Sequence, residues 1–299
     1  DGYQAFYVAI GCQDGKVPPI PGSDAEDIEI AVDFLHRATE DQTQKMSGNV
    51  VVIGGGNVAV DCARTAARFG GEHVAMYCLE DRGTMPASAD EIRETLEEEI
   101  AIETSWGPKE IQKDADGKVK AVVFQKCISV KDASGKFNPQ YDENDTITVA
   151  CDHLIFAVGQ GIKWGDLLEG TKVEFWHGNY PVADPLTYQT AEPDIFVGGD
   201  VYTGPKFVID AIEAGKCAAE SLHRYVHTGA SMTIGRNRRD FHELNKDDIM
   251  LNGYDTIGRQ EAAETEKEDK KHSFRDLRGM LTEEQVHLEA GRCLGCGAS

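Results

Sequence analysis

Residues 50–66 read VVVIGGGNVAVDCARTA, and this stretch constrains the fold more than any other. NVVVI (49–53) is an apolar run of strand length, and NVAVDCARTAARFG (57–70) has helical spacing with glycines at its end. Three glycines separate the two, so the predicted strand feeds straight into the helix N-terminus. Gly54, Gly56 and Ala59 satisfy GxGxxA at that junction. The first glycine allows a tight turn, and the second lets a pyrophosphate approach the backbone. The small third residue lets helix and strand pack closely, with the phosphate at the helix N-terminus. Asn57 and Val58, between the second and third positions, complete the candidate nucleotide-binding set. The expected fold is α/β, with a Rossmann-like dinucleotide-binding domain.

HVAMYCLE (73–80) reads as the next strand, and its end should meet the adenosine ribose. Glu80 and Asp81 stand there. A carboxylate accepts hydrogen bonds from ribose hydroxyls and repels a 2′-phosphate, which favours NADH over NADPH. Arg82 pulls the other way, because a guanidinium can recognise that phosphate. ASADEIRETLEEE follows as a helix with Ser88 and Asp90 near its start.

The flanks are organised differently. YQAFYVAIG (3–11) looks like a buried strand ending in glycine, KVPPIPGSDAED is a proline-rich connection, and IEIAVDFLHRAT (28–39) has helical spacing. From about 101 to 151 the pattern is that of antiparallel strands with turn residues between them. DHLIFAVGQ (152–160) and DIFVGGDV (194–201) are strands ending in glycine, the second followed by a helix over 206–229. The stretch after 230 is polar and irregular, with one helix expected at TEEQVHLEAGRCL.

Composition narrows the function classes. A formal charge of −22 would repel a phosphate backbone, which argues against nucleic acid as a partner. No apolar run approaches the roughly 18 residues of a membrane span, so no membrane partner is expected. The chain opens without an initiator Met, almost directly on a strand, and reads as a piece of a longer polypeptide. Six of the eight cysteines are scattered singly through apolar segments, a pattern that suits a reducing cytoplasm. Nine histidines are spread without ligand spacing.

Taken together, YVAIGCQDGKVPPIPG, VVVIGGGNVAVDCARTA, MPAS (85–88), LIFAVGQ and DIFVGGDVYTGPKFVIDAIEAGKCAAESL resemble the flavoproteins with two dinucleotide-binding domains, most closely the small-subunit branch of glutamate synthase. The resemblance runs along essentially the whole chain. It implies that Gly199 and Asp200, in VGGD, belong to the second flavin-binding segment, with Asp200 accepting a hydrogen bond from the ribityl chain of FAD. It places Phe207 and Val208 near the pyrimidine edge of the flavin, where a helix N-terminus stabilises negative charge. AIG (9–11) and AVG (157–159), the latter with Gly159, resemble the segments where the chain crosses between domains.

Two departures qualify the resemblance. The family's own GxGxxG for the FAD pyrophosphate would precede residue 1, so FAD binding is implied for the parent protein rather than for this chain alone. Some flavoproteins of this architecture carry a redox CxxC in the nicotinamide domain, whereas only Cys62 and Cys78 lie near that region here. The CxxC of this chain is Cys293 and Cys296, two candidate ligands of an iron–sulfur or zinc site whose other ligands would lie elsewhere. In relatives a tail of this kind leads into a ferredoxin-like cluster domain.

The expected domains are a nicotinamide-nucleotide domain over 47–150, the C-terminal half of a flavin domain over 1–46 and 151–230, and a tail over 231–299. The function implied is hydride transfer from NADH, or NADPH, to FAD and on to iron–sulfur clusters on another domain or subunit. The rival from another class is a non-catalytic nucleotide-binding or docking fragment. A dehydrogenase with a single nucleotide and its own substrate pocket leaves VGGD unexplained.

Overall fold

The computed structural model describes residues 2–177, 179–227, 229–236, 245, 257–275 and 278–293. In chain order the elements begin with β1 (Phe6–Val8), β2 (Asp14–Gly15), β3 (Ile28–Ile30), α1 (Ala31–Glu40), β4 (Asn49–Ile53), α2 (Asn57–Arg68) and β5 (His73–Cys78). Next come α3 (Ala89–Glu97), β6 (Ala101–Thr104), β7 (Trp106–Lys113), β8 (Val119–Lys131), β9 (Phe137–Ala150) and β10 (His153–Phe156). Then follow β11 (Gln160–Gly161), β12 (Phe175–Trp176), β13 (Tyr180–Pro181), β14 (Ile195–Val197), α4 (Asp200–Thr203), α5 (Val208–Val226), α6 (Lys267–His272) and α7 (Glu283–Gly291). They form two compact units, one from residues 1–17 and 158–241, the other from 18–157 and 242–299.

The second unit is built on a five-stranded sheet in the order β3-β10-β4-β5-β6, and every pair in it is parallel. Parallel strands are covered on both faces, which is why β4 is an unbroken apolar run with Val50, Val51, Val52 and Ile53 all buried. Helix α2 buries Ala59, Val60, Cys62, Ala63 and Ala66. Most of these are small, so the helix axis lies close to the sheet. Phe34 of α1 meets Phe69 edge to face, with ring centroids 6.0 Å apart. The Ser88 hydroxyl caps α3 by accepting from the Glu91 amide at 3.3 Å.

Two elements differ from the sequence expectation. Ile28–Ile30 is a strand, parallel to β10, and the helix starts only at Ala31. The Ile-Glu-Ile alternation fits a pleat, and the sheet edge supplies backbone partners that a helix start would leave open. Ala101–Thr104 extends the parallel sheet beside β5, so the antiparallel group is confined to β7-β8-β9. That group packs on the main sheet through Tyr77 and Phe124, whose rings stack at 4.2 Å.

Part of the C-terminal region also lies on this unit. Arg68 Nε donates to the Ser273 carbonyl at 2.8 Å, and the Phe274 ring stands 5.5 Å from Phe69. Lys270 pairs with Glu97 at 3.3 Å and Glu264 at 2.7 Å. Beneath them, the fully buried Glu98 carboxylate takes Arg64 at 2.7 Å and Arg68 at 2.9 Å.

In the first unit β1 runs parallel to β14, and β2–β11 and β12–β13 are short antiparallel pairs. Its core holds Val8, Ile162, Leu168, Val173, Ile195, Val197 and Val201. After α5, the buried Arg236 donates to the carbonyls of Leu186 at 2.7 Å and Cys217 at 2.9 Å, fixing the chain against the unit. The unit boundaries fall at Val17/Pro18 and Ala157/Val158. Residues 18–46, expected with the first unit, thus pack in the second, because β3 and α1 complete the five-stranded sheet and its cover.

Candidate functional site

The glycine-rich turn is shaped by what surrounds each glycine. Gly54 has φ 151°, and a Cβ there would lie 2.5 Å from the Ala157 carbonyl oxygen, so the end of β10 excludes any side chain. Gly55 is less confined: its Cβ would lie 2.9 Å from Glu80 Oε2, the movable end of a side chain, and 3.0 Å from Cys78 Cβ. Gly56, the N-cap of α2, is the opposite case, because a Cβ would meet nothing within 4 Å. Open space therefore lies over the helix N-terminus. The amides of Gly56, Asn57 and Val58 have no acceptor among the described residues. This cradle of free N–H groups fits a pyrophosphate.

The segment MPAS arches over the same turn. The Ala87 amide donates to the Gly55 carbonyl at 3.0 Å, and the Ser88 amide donates to Asn57 Oδ1 at 2.9 Å. The Asn57 backbone amide is thus left free at the turn, while its side chain holds the arch. Val58 is half-buried and Ala59 fully buried, the latter allowing the close packing that the motif requires.

Glu80 stands at the end of β5, half-buried, with its carboxylate directly above Gly55. The adjacent Asp81 carboxylate accepts from the amides of Gly83 at 2.8 Å and Thr84 at 3.0 Å, closing a local turn. Glu80 is therefore the carboxylate that faces the glycine-rich turn. Arg82 is exposed and makes no ion pair among the described residues.

In the first unit Gly199, Asp200, Phe207 and Val208 lie around an open cleft of about 270 Å³ that Tyr7, Ala9, Gly11, Lys206, Ala211 and Gly215 also line. Gly199 has φ 66° and ψ −153°, a conformation essentially reserved for glycine. It turns the chain from β14 into α4. Asp200 Oδ1 accepts from the Lys206 amide at 3.3 Å, and its carbonyl accepts from Cys12 Sγ at 3.2 Å. Phe207 and Val208 are 69% and 76% exposed at the start of α5, so two large apolar side chains stand uncovered at the cleft. The cleft lies at the carboxyl ends of β1 and β14, where open α/β sheets take ligands. Gly159 is not among its lining residues; it lies beside Lys16.

The cysteines divide as their surroundings dictate. Cys12, Cys62, Cys78, Cys127 and Cys151 are buried, and Cys217 is half-buried. Burial, with Glu80 alongside, pushes the Cys78 thiol up to about 12, and burial pushes Cys151 up to about 12 as well. Neither is a nucleophilic thiolate at neutral pH. Cys293 is exposed near the end of α7, and Cys296 lies outside the described residues. Among the described residues no group of three or more His, Cys, Asp or Glu side chains is placed to hold a metal, and no helix is long and apolar enough to cross a membrane.

Sequence reasoning missed three contributors. Gly55 is crowded by Glu80 and Cys78, a point that the GGG run hints at but the GxGxxA pattern leaves free. The Ala87–Ser88 arch depends on a hydrogen bond across 31 residues. Tyr7 lines the cleft from within a strand, and its only sequence signal is one hydroxyl in the apolar run AFYVAI.

Comparison with known proteins agrees with this arrangement. A family model described as pyridine nucleotide-disulphide oxidoreductase matches residues 2–215. The beta subunit of the NADP(+)-dependent formate dehydrogenase of Moorella thermoacetica is 29% identical over 310 residues, covering 98% of this chain and 42% of that protein. The small chain of glutamate synthase [NADPH] of Escherichia coli strain K12 is 28% identical over 242 residues, covering 75% of this chain and 51% of that protein. The chain thus spans about half the length, or less, of these curated relatives. Among solved structures, Mycobacterium tuberculosis FprA in complex with NADPH superposes with a TM-score of 0.58 at 19% identity, covering 75% of this chain and 64% of the other. Thioredoxin reductase of T. acidophilum gives 0.57 at 18%, covering 73% and 64%. At these identities the structural likeness shows a shared Rossmann-like α/β fold.

Proposed function

The chain belongs to the pyridine nucleotide-disulphide oxidoreductase family, and from that premise we propose that it is the nicotinamide-binding unit and part of the flavin-binding unit of an NADH-dependent flavin oxidoreductase. The observation that carries the reading is the cradle at Gly54–Ala59, with free amides, open space over Gly56 and the Glu80 carboxylate above Gly55. The amides of Gly56, Asn57 and Val58 would hold the pyrophosphate. Glu80 would accept the ribose hydroxyls and disfavour a 2′-phosphate. Gly199, Asp200, Phe207 and Val208 would contact FAD, and the N-terminus of α5 would favour negative charge on it.

When bound, the nicotinamide would supply hydride chemistry and the flavin two- and one-electron redox chemistry, linking it to iron–sulfur clusters of a neighbouring domain or subunit. The residues of this chain bind, orient and exclude water. Cys293 and Cys296 would contribute ligands to such a cluster. The buried, protonated Cys62 and Cys78 are unsuited to disulfide reduction. Names among the relatives, a formate dehydrogenase beta subunit and a glutamate synthase small chain, support a role as the nucleotide-oxidising part of a larger redox assembly.

One observation favours the second reading, a fragment that binds nicotinamide nucleotide without turnover. The parallel sheet of the first unit has two strands among the described residues, and Tyr3 and Phe6 beside it are exposed at 77% and 48%. Parallel sheets ordinarily need more strands and cover on both faces. An absorption spectrum from 300 to 600 nm, with added FAD and then NADH, separates the two. A protein-retained flavin band that bleaches with NADH supports the oxidoreductase, and a chain that binds NADH but retains no flavin supports the fragment.

A further inference from the structure

Tyr7 is the middle residue of β1, and its ring leans along the strand onto Gly198. A Cβ on that glycine would lie 2.2 Å from the phenol oxygen and 3.0 Å from Cζ. The glycine therefore leaves the ring its seat. Tyr7 also lines the cleft, next to Gly199 and Asp200 and below Ala211 and Gly215 of α5. Its hydroxyl has no hydrogen-bond partner among the described residues. By contrast, the hydroxyl of nearby Tyr202 donates to the Ala183 carbonyl at 3.4 Å.

The neighbouring strand residues follow the ordinary rule. Val8 and Phe196 are buried and carry no polar atom on their side chains. A phenylalanine at position 7 would fill the same space without a polar group to satisfy. Burial raises the phenol above its ordinary pKa, with Cys217 adding to the rise, so the group keeps its proton at neutral pH and can donate. The hydroxyl is reachable from solvent, and covering it would be costly unless something accepts from it. Water can do so when the cleft is open, and a ligand must do so when the cleft is filled.

We propose that Tyr7 is a ligand-positioning residue: its hydroxyl donates a hydrogen bond to an acceptor atom of the flavin nucleotide held against Gly199 and Asp200, and its seat on Gly198 fixes where that donor stands. The assignment rests on the flavin reading given under Proposed function. It adds a neutral hydroxyl donor to a site otherwise lined by glycines, Asp200, Lys206 and apolar groups.

The test uses the full chain with FAD as the probe, comparing the wild type with Tyr7→Phe. Three quantities are read: the dissociation constant for FAD, the position of the bound flavin's visible absorption band, and the melting temperature without FAD. Tyr7→Phe is expected to weaken FAD binding roughly two- to tenfold, the value of one hydrogen bond. It should also shift the flavin band, leave the melting temperature of the FAD-free chain unchanged, and leave NADH affinity unchanged. FAD affinity and spectrum equal to wild type would overturn the role of Tyr7 and leave the flavin reading standing. A lower melting temperature without FAD, with an unshifted band, would show that the hydroxyl is structural and also overturn it. A wild-type chain that retains no FAD would overturn the flavin reading and this assignment with it.

Discussion

Adding one methyl group to the nucleotide turn should have opposite effects at positions two residues apart. In Gly54→Ala the new Cβ lies 2.5 Å from the Ala157 carbonyl oxygen, and the backbone is at φ 151°, where an alanine is strained. The obstructing atom is backbone, so β4 or β10 must shift. Strain and overpacking each cost about 1–3 kcal/mol, which together give roughly 2–6 kcal/mol. For a unit of this size that lowers the melting temperature by roughly 4–24 °C.

In Gly56→Ala the backbone is extended at φ −95°, and the Cβ enters open space. Loss of a tolerated glycine N-cap is offset by the smaller entropy of the unfolded chain, so stability should change by less than about 1 kcal/mol. The methyl group nevertheless occupies the space where a pyrophosphate would approach the amides. NADH affinity should fall at least roughly tenfold, or about 1.4 kcal/mol. Thermal melts and a fluorescence titration with NADH read both variants. The reasoning is refuted if Gly56→Ala binds NADH like the wild type, or if Gly54→Ala melts where the wild type does.

Replacing Glu80 with Gln should reduce the preference for NADH over NADPH by about tenfold, measured as the ratio of two dissociation constants, because the repulsion of a 2′-phosphate is removed. Removing the buried Glu98 carboxylate in Glu98→Gln leaves Arg64 and Arg68 without their shared partner. Breaking a buried pair from one side costs about 3–5 kcal/mol, readable as a lower urea midpoint. The buried thiols set an alkaline limit. Burial raises the folded-state pKa of Cys78 and Cys151 to about 12, so the unfolded chain releases their protons first. That contribution to stability is complete below the ordinary thiol pKa and is lost as pH rises toward about 12. A urea midpoint that stays constant from pH 8 to 11 would contradict it.

Local chemistry made much of the molecule legible. The strand–glycine–helix unit, the parallel sheet it implies and the small residues of α2 follow from a 3.6-residue period meeting an apolar run, and contacts of this kind are close in sequence. Glu80 was placed by the same logic, since the end of the second strand lies beside the first turn in any such unit. The helix start at Ser88 and the turn at Gly199 were visible because their chemistry is carried by single residues.

Other features required the tertiary structure, because they depend on contacts between distant residues. Ile28–Ile30 became a strand because β10 stands beside it, more than a hundred residues later in the chain. Gly54 is closed to side chains by the Ala157 carbonyl and Gly55 is crowded by Glu80 and Cys78, whereas Gly56 is open, and nothing in GGG distinguishes them. Of the two adjacent carboxylates, Asp81 is held in its own turn and Glu80 faces the cradle. Gly198 accommodates the ring of Tyr7, a partner 191 residues away that no local pattern could supply. The sequence alone determined where strands turn through glycine into helices, since those backbone needs are written in neighbouring residues. Which atoms face the ligand was decided by packing, because that depends on which parts of the chain close around each turn.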